Sequence, residues 1–125
     1  MINNYQLIKK ASSTLGFDST QFVVVQAAIS SRDGNVKFPN LGQGTENGKI
    51  EFCDQYCNST IQDNCCPDVN MYSLESYVDK FVTSKGPINV LSIDTEGRDF
   101  DVLFGAGSVL DRTYYVEFEY HIDGM

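Results

Sequence analysis

Two groups of ionisable side chains stand directly after apolar, β-branched stretches of the sequence. Asp94 and Glu96 follow the stretch 88–93, and Glu119 and His121 close the last such stretch of the chain. A carboxylate or an imidazole held at such a position can take a proton from a hydroxyl group, and a carboxylate also attracts a cationic ligand. These four residues are therefore the candidates for acid–base chemistry.

Both groups also have a structural explanation. Asp94 or Thr95 can cap the helix that follows, and Glu96 can interact favourably with the dipole of that helix. His121 is the only histidine, and a lone histidine at a strand end is more often a surface residue than a catalyst. Position alone leaves the two interpretations of Asp94 and Glu96 open.

The elements that must position these residues alternate between helical and extended patterns. Apolar spacing predicts helices over residues 2–15, from Ser73 to before Gly86, and from Phe100 to Leu110. Strands are predicted at 22–29, 35–38, 88–93 and 114–120. This alternation is typical of an α/β protein with a parallel sheet, in which ligands bind beyond the carboxyl ends of the strands. That rule adds Gln26, Ala27 and Ala28 to the candidate site.

Length and composition limit the possible functions. The 125 residues suit one domain, and the net charge of -8 argues against nucleic acid as the main ligand, because a phosphate backbone requires a basic surface. No apolar run has the ~20 residues that a membrane-spanning helix needs. The first ten residues lack the apolar stretch of a signal peptide.

Residues 39–67 differ in composition from the rest, being rich in Gly, Asn, Gln and Cys, with only 50–52 resembling a strand. An excursion of this length is usually functional or mobile. Its glycine-rich stretch, 42–49, follows no buried strand and fits neither nucleotide-binding glycine pattern, so we interpret it as a flexible loop.

The same excursion holds all four cysteines, spaced C-x3-C-x7-C-C, and the glycosylation sequon that begins at Asn58. Three interpretations remain open. An even cysteine count beside a sequon favours disulfides in a secretory compartment, and reduced thiols in a cytoplasmic loop are the main alternative. Structural zinc is disfavoured by the missing C-x2-C pairs and by the adjacent Cys65 and Cys66. The four residues concerned are Cys53, Cys57, Cys65 and Cys66.

A longer motif makes the chain recognisable. Ile88-Asn-Val-Leu-Ser-Ile-Asp-Thr-Glu-Gly97, followed by Arg-Asp-Phe-Asp-Val-Leu-Phe-Gly-Ala106, closely resembles the FkbM-type methyltransferase family. That family has an apolar strand ending Ile-Asp-x-Glu-Gly and an acidic helix ending Leu-x-Gly-Ala. Weaker similarities extend over most of the chain outside about 39–69, at the segments 4–10, 24–38, 73–78 and 116–121.

The resemblance implies an α/β class I methyltransferase with a Rossmann-like, three-layer fold, here partial, with strands three to five present and the first two missing. It also implies S-adenosylmethionine as cofactor and a hydroxyl group on a sugar or small molecule as acceptor. Asp94 and Glu96 match the acidic pair beside the methyl-transfer cavity. Gln26, Ala27 and Ala28 match the third-strand end against the adenine, and Glu119 and His121 match the end of the fifth strand.

One departure from the family affects the domain organisation. The glycine-rich first strand and the acidic end of the second strand should precede the first helix, where only Met1, Ile2 and Asn3 stand. We therefore expect residues 1–125 to be an interior part of the methyltransferase domain, inactive alone, with the excursion at about 39–69. In the family order 3-2-1-4-5, the sheet must carry a gap, or the strand at Phe22 must pair with the strand at Ile88.

Two other functions are compatible with the same residues. A donor-less Rossmann-like binding module could act through the cysteine loop. A metal-dependent glycosyltransferase could use Asp94 and Glu96 as an acidic metal site, although our interpretation of this chain includes no metal.

Overall fold

The structure is a computed structural model that describes residues 2–39, Cys53 and residues 66–120. This part of the chain is a mixed α/β protein. Its elements, in chain order, are α1 (Ile2–Thr14), β1 (Ala28–Ser30), β2 (Gly34–Lys37), β3 (Asp68–Ser73), α2 (Leu74–Phe81), β4 (Ile88–Ile93), α3 (Asp99–Phe104), a 3-10 helix (Gly107–Arg112) and β5 (Thr113–Phe118). The chain divides into two compact units, made of 1–27 with 35–69 and of 28–34 with 70–125.

The first unit contains α1 and a disulfide. Helix α1 confirms the predicted first helix, and Gly16 after it adopts a φ of 83°, which a residue without a Cβ reaches at no steric cost. A disulfide joins Cys53 to Cys66, whose Cα atoms lie 5.8 Å apart. The Cys53 side chain is buried and Cys66 is partly exposed.

Parallel strand pairing confirms the predicted sheet type. Strand β1 pairs with β3, with Ala28 opposite Met71, and β4 pairs with β5, from Ile88 opposite Thr113 to Ile93 opposite Phe118. Within the described residues these pairs belong to two separate sheets, of order β1-β3-β2 and β4-β5. Among the described residues β1 therefore does not pair with β4, and the expected gap in a 3-2-1-4-5 sheet stays a prediction.

The first predicted strand is displaced. Residues 22–27 are irregular and strand β1 begins only at Ala28. A strand needs a partner for its backbone N–H and C=O groups, and β3 supplies one only to residues 28–30 in this region. The predicted apolar run is correspondingly exposed, with Val23 at 67% and Val25 at 52% of their full accessible surface.

Two further predictions of local structure were incomplete. Strand β3 (Asp68–Ser73) was not predicted, because the alternation of polar and apolar residues covers only 68–71 and stands directly before the predicted start of a helix at Ser73. The helix expected from Phe100 to Leu110 is instead the short α3 followed by a 3-10 helix. The break falls at Gly105, which lies close to the backbone of Ser30, as described below.

Helix α2 is fixed at its N-terminus as the sequence predicts. The Ser73 hydroxyl accepts a hydrogen bond from the backbone N–H of Ser76 at 3.1 Å, which satisfies one of the N–H groups left open by the first turn. Asp33, in the turn after β1, accepts hydrogen bonds from the Ser73 N–H at 2.9 Å, the Ser76 hydroxyl at 2.6 Å and the Lys80 ammonium at 2.9 Å. These bonds hold the turn against the start of α2.

The apolar core of the second unit lies among its helices and strand β4. Its most buried aliphatic side chains are Val78, Ile93, Val102, Ala106 and Val109. They come from α2, β4, α3 and the 3-10 segment, and Ile93 is the last residue of β4. The turn between β4 and α3 carries the candidate site.

Several predictions fall outside the described residues. They are the strand at 50–52, the glycine-rich stretch 42–49, the sequon at Asn58, Cys57 and Cys65, and His121.

Candidate functional site

Asp94 is the first residue after strand β4. It follows the buried Ile93 and its own side chain is exposed. The capping interpretation is wrong for Asp94 and Thr95, since helix α3 begins at Asp99 with Arg98 as its N-cap and no side-chain capping hydrogen bond. Among the described residues, no hydrogen bond or ion pair of the Asp94 carboxylate is found. The side chain is thus free to meet a ligand.

The turn after Asp94 has an unusual backbone conformation. Glu96 has a φ of 53° and Gly97 a φ of 97°, so two successive residues lie in the left-handed region. A left-handed conformation is rare for a residue with a side chain and is costly by about 1 kcal/mol or more. Glycine explains the second position, whereas Glu96 must be held by the surrounding structure.

A buried carboxylate holds this turn. Asp99, the first residue of α3, is only 1% exposed. Its Oδ1 accepts hydrogen bonds from the backbone N–H of Thr95 at 2.7 Å and from the Thr95 hydroxyl. Because Thr95 lies between Asp94 and Glu96, this interaction fixes the backbone that carries both candidate carboxylates.

The other oxygen of Asp99 reaches the second strand end. Its Oδ2 accepts a hydrogen bond from the backbone N–H of Glu119 at 2.8 Å. The β4–β5 ladder ends with Ile93 opposite Phe118, so Glu119, like Asp94, is the first residue beyond it. The structure therefore brings two of the predicted groups, Asp94 with Glu96 and Glu119, to one end of the parallel pair.

Aromatic rings border the same region. The Phe100 ring packs edge-on against Phe118 at 5.7 Å between centroids and against Tyr120 at 5.6 Å. All three rings are 41–60% exposed. Aromatic faces attract cations, so this cluster adds to the attraction that the carboxylates exert on a positively charged ligand.

The charge around the turn is predominantly negative. The segment 94–101 contains four carboxylates and one guanidinium group, that of Arg98. Arg98 lies 3.4 Å from Asp101 in an exposed ion pair on the helix. The excess of negative charge favours a cationic ligand over an anionic one, and in water this preference is strongest at low salt.

Gly105 sets where helix α3 ends. A Cβ added to this residue would lie 2.2 Å from the carbonyl oxygen of Ser30 and 2.9 Å from the Cα of Ser31, both of which are backbone atoms. The Gly105 carbonyl also accepts the backbone N–H of Glu75 at 3.0 Å. Close contact with the end of β1 therefore requires glycine here, which explains one position of the Leu-x-Gly-Ala pattern.

The remaining predicted residues are not brought into this arrangement. Gln26 and Ala27 are irregular, with Gln26 exposed, and Ala28 is the first residue of β1. Gln26 and Ala27 thus precede the strand and Ala28 begins it, so the prediction that the three residues form its carboxyl end is wrong. Their role in binding adenine stays a prediction, as does the role of His121.

Sequence reasoning missed Asp99. In the sequence it looks like an ordinary acidic residue in the first turn of a helix, where carboxylates are common on the surface. Only its position between the strand-end turn and the apolar Phe100 gave a weak indication of burial.

Within the described parts of the chain, no three His, Cys, Asp or Glu side chains are grouped as metal ligands. None of the described helices is long and apolar enough to cross a membrane.

Comparison with known proteins gives one result that identifies a family. A family model described as the methyltransferase FkbM domain matches residues 21–124, which include both strand ends described above. No curated protein and no solved structure matches this chain.

Proposed function

The chain belongs to the FkbM methyltransferase family, and we propose that it serves the transfer of a methyl group from S-adenosylmethionine to a hydroxyl oxygen of a sugar or another small molecule. Its fold is proposed to be the α/β, class I Rossmann-like one, with strands three to five in this chain. The parallel β4–β5 pair supports that proposal. So do the flanking helices α2 and α3.

The observation that carries the proposal is the position of Asp94. Its exposed carboxylate stands at the carboxyl end of a parallel strand, inside the segment that the family model matches, and serves no capping role. Ligands of open parallel sheets bind at this end of the strands. The arrangement supports a binding role for this carboxylate.

The residues present fit the chemistry of the cofactor. S-adenosylmethionine, when bound, supplies an electrophilic methyl group on a sulfonium cation. Asp94, with the net negative charge of the turn, would hold that cation, and the rings of Phe100, Phe118 and Tyr120 provide faces that favour it. Gln26, Ala27 and Ala28 are proposed for the adenine on the resemblance alone.

The acceptor hydroxyl must lose its proton as the new bond to oxygen forms. Glu96, Glu119 and His121 are proposed as the groups that take it, with Asp94 as a further carboxylate at the same strand end. Glu119 has the best support, since its backbone is tied to the turn that carries Glu96 through Asp99. A positioned base of this kind contributes about 10²- to 10⁴-fold to a rate.

The compartment is also a proposal. The Cys53–Cys66 disulfide supports a secretory or extracellular location, because such bridges persist in oxidising environments and are rare in the cytoplasm. A cytoplasmic location is the alternative.

Cofactor binding can be tested with two ligands that differ by one charge. We expect the amide signals of residues 94–97 and 119 to shift on titration with S-adenosylmethionine in NMR spectra. Its neutral product, S-adenosylhomocysteine, should bind about tenfold more weakly at low ionic strength, a difference of roughly 1.4 kcal/mol from the carboxylate–sulfonium attraction.

The titration extends to millimolar S-adenosylmethionine, so that weak binding is also detected. Adenosine triphosphate, an adenine nucleotide of opposite charge, is the matched control and should not shift these signals. Unchanged spectra at millimolar S-adenosylmethionine would contradict the proposed function.

A further inference from the structure

We propose that Asp99 is a positioning residue that holds the two strand ends of the methyl-transfer site in a fixed relation. The inference rests on the proposed function for its catalytic consequence and on the hydrogen bonds of Asp99 for its structural part. Asp99 is not itself assigned a contact with substrate. It acts through Thr95 and Glu119.

Burial shows that Asp99 has a specific role. Asp99 is 1% exposed, and a carboxylate taken out of water is strongly disfavoured unless hydrogen bonds replace its hydration. A carboxylate that only interacted with the dipole of the first helical turn would lie in solvent. The buried position is instead occupied by a group that can accept several hydrogen bonds at once.

The two oxygens of this carboxylate serve different strands. Oδ1 accepts hydrogen bonds from the N–H and the hydroxyl of Thr95, two residues past the end of β4. Oδ2 accepts a hydrogen bond from the N–H of Glu119, one residue past the end of β5. Beyond the last paired residues, Ile93 and Phe118, the β4–β5 ladder no longer fixes the distance between the two chains. Beyond the end of the ladder, the hydrogen bonds of Asp99 fix the distance between the two chain segments.

The same bonds constrain the candidate acids. Thr95 separates Asp94 from Glu96, and Glu96 adopts a left-handed φ that its own side chain disfavours. If the Thr95 N–H were released, the turn could relax to an ordinary conformation and move the Asp94 carboxylate. Asp99 therefore determines where the carboxylates stand relative to Glu119.

An asparagine at this position cannot make the same bonds. Its amide has one acceptor oxygen, so its NH₂ group must face the N–H of either Thr95 or Glu119, which places two donors together. Asp99→Asn keeps the side-chain shape and still breaks one of the two links. Asp101→Asn is the matched control, since Asp101 lies on the same helix and interacts with Arg98 at the surface.

Two readouts test the inference. Hydrogen exchange of the Thr95 and Glu119 amides should become at least tenfold faster for one of them in Asp99→Asn and stay unchanged in Asp101→Asn. The preference for S-adenosylmethionine over S-adenosylhomocysteine should fall further below tenfold in Asp99→Asn than in Asp101→Asn, which removes the same charge from segment 94–101. If Asp99 contributed only to stability, Asp99→Asn protein that circular dichroism shows to be folded would keep the wild-type preference for S-adenosylmethionine.

A second pair of variants covers the case in which Asp99→Asn fails to fold. Thr95→Val removes the hydroxyl donor and keeps the backbone N–H, whereas Thr95→Ser keeps both. We expect the valine variant to lose part of the ligand preference and the serine variant to retain it. Wild-type preference in folded Asp99→Asn, or in Thr95→Val if Asp99→Asn is unfolded, would overturn the inference.

A different result would show that the proposed function is wrong. If the wild-type protein binds neither ligand, the methyltransferase proposal fails. The exchange rates of the Thr95 and Glu119 amides then still decide whether Asp99 joins the two strand ends. Unprotected amides in the wild type would overturn that part as well.

Discussion

The Asp99 carboxylate accepts the backbone N–H of Glu119 at 2.8 Å, and this bond joins the start of helix α3 to the end of strand β5. The same carboxylate binds Thr95 in the turn after β4. A single buried side chain thus connects the two chain segments that carry the candidate acids. The organisation of the site depends on a residue that need not contact either substrate.

In an intact enzyme that contains this chain, Asp94→Asn should reduce methyl transfer by at least ~100-fold with little loss of stability. The Asp94 side chain is exposed and has no capping role, so the fold does not depend on its charge. Turnover with labelled S-adenosylmethionine and a panel of sugars measures the first effect, and thermal unfolding measures the second.

Asp111→Asn is the control for Asp94→Asn, since Asp111 is an exposed carboxylate in the 3-10 helix. It should leave both quantities unchanged. Wild-type turnover in Asp94→Asn would contradict the assignment, and an unfolded Asp94→Asn variant would show that its carboxylate is structural after all.

Asp33 should make stability depend on pH in the acid range. The Ser76 hydroxyl, the Lys80 ammonium and the Ser73 N–H lower the pKa of Asp33 well below the ordinary value of 3.8. Because the folded pKa is the lower one, the stabilisation is complete above pH 3.8 and is lost as the pH falls towards the folded pKa. The melting temperature of Asp33→Asn should lie below that of the wild type at pH 7, and the gap should narrow below pH 4.

Asp79→Asn provides the comparison for Asp33→Asn on the same helix, α2. Asp79 forms an exposed ion pair with Lys85 at 3.6 Å, and such pairs contribute about 0–1 kcal/mol. The melting temperature of Asp79→Asn should equal that of the wild type both at pH 7 and below pH 4. A constant difference between Asp33→Asn and wild type down to pH 2 would disprove the role of the Asp33 charge.

The sequence was informative wherever periodicity and a local signal agreed. Helix α1, the Ser73 cap and the full extent of strand β4 were predicted correctly because each depends on residues close in the chain. The Ile-Asp-x-Glu-Gly pattern identified the family for the same reason. Local patterns carry this information without knowledge of tertiary contacts.

Predictions failed where a tertiary contact decided the outcome. Strand β1 starts at Ala28 because its pairing with β3 starts there, and the sequence does not show where a ladder begins. Helix α3 ends at Gly105 because the Ser30 backbone lies against it. Asp99 is buried and accepts a hydrogen bond from Glu119, a relation across 20 positions that no local pattern reveals.

Loss of the Cys53–Cys66 bridge should destabilise the protein. The bridge spans a sequence separation of 13, and a loop of about this length constrains the unfolded chain by about 3 kcal/mol. Replacing both residues with serine should lower the free energy of unfolding in urea by about that amount. Reductant should destabilise the wild type by at least this amount. Equal stability of wild type and double variant without reductant would exclude a stabilising bridge.

Gly105→Ala should be one of the most damaging small substitutions in the second unit. Its Cβ would lie 2.2 Å from the Ser30 carbonyl oxygen, well inside van der Waals contact, and the neighbouring atoms are backbone atoms that cannot rotate away. We expect a loss of about 2 kcal/mol or more in the free energy of unfolding, measured by urea titration. Gly86→Ala is the matched control, because its Cβ would meet only the Ser84 hydroxyl oxygen, at an ordinary 3.6 Å, and should change stability little. A Gly105→Ala variant as stable as Gly86→Ala would show that the end of α3 does not press against the end of β1, and the explanation given for this glycine would be wrong.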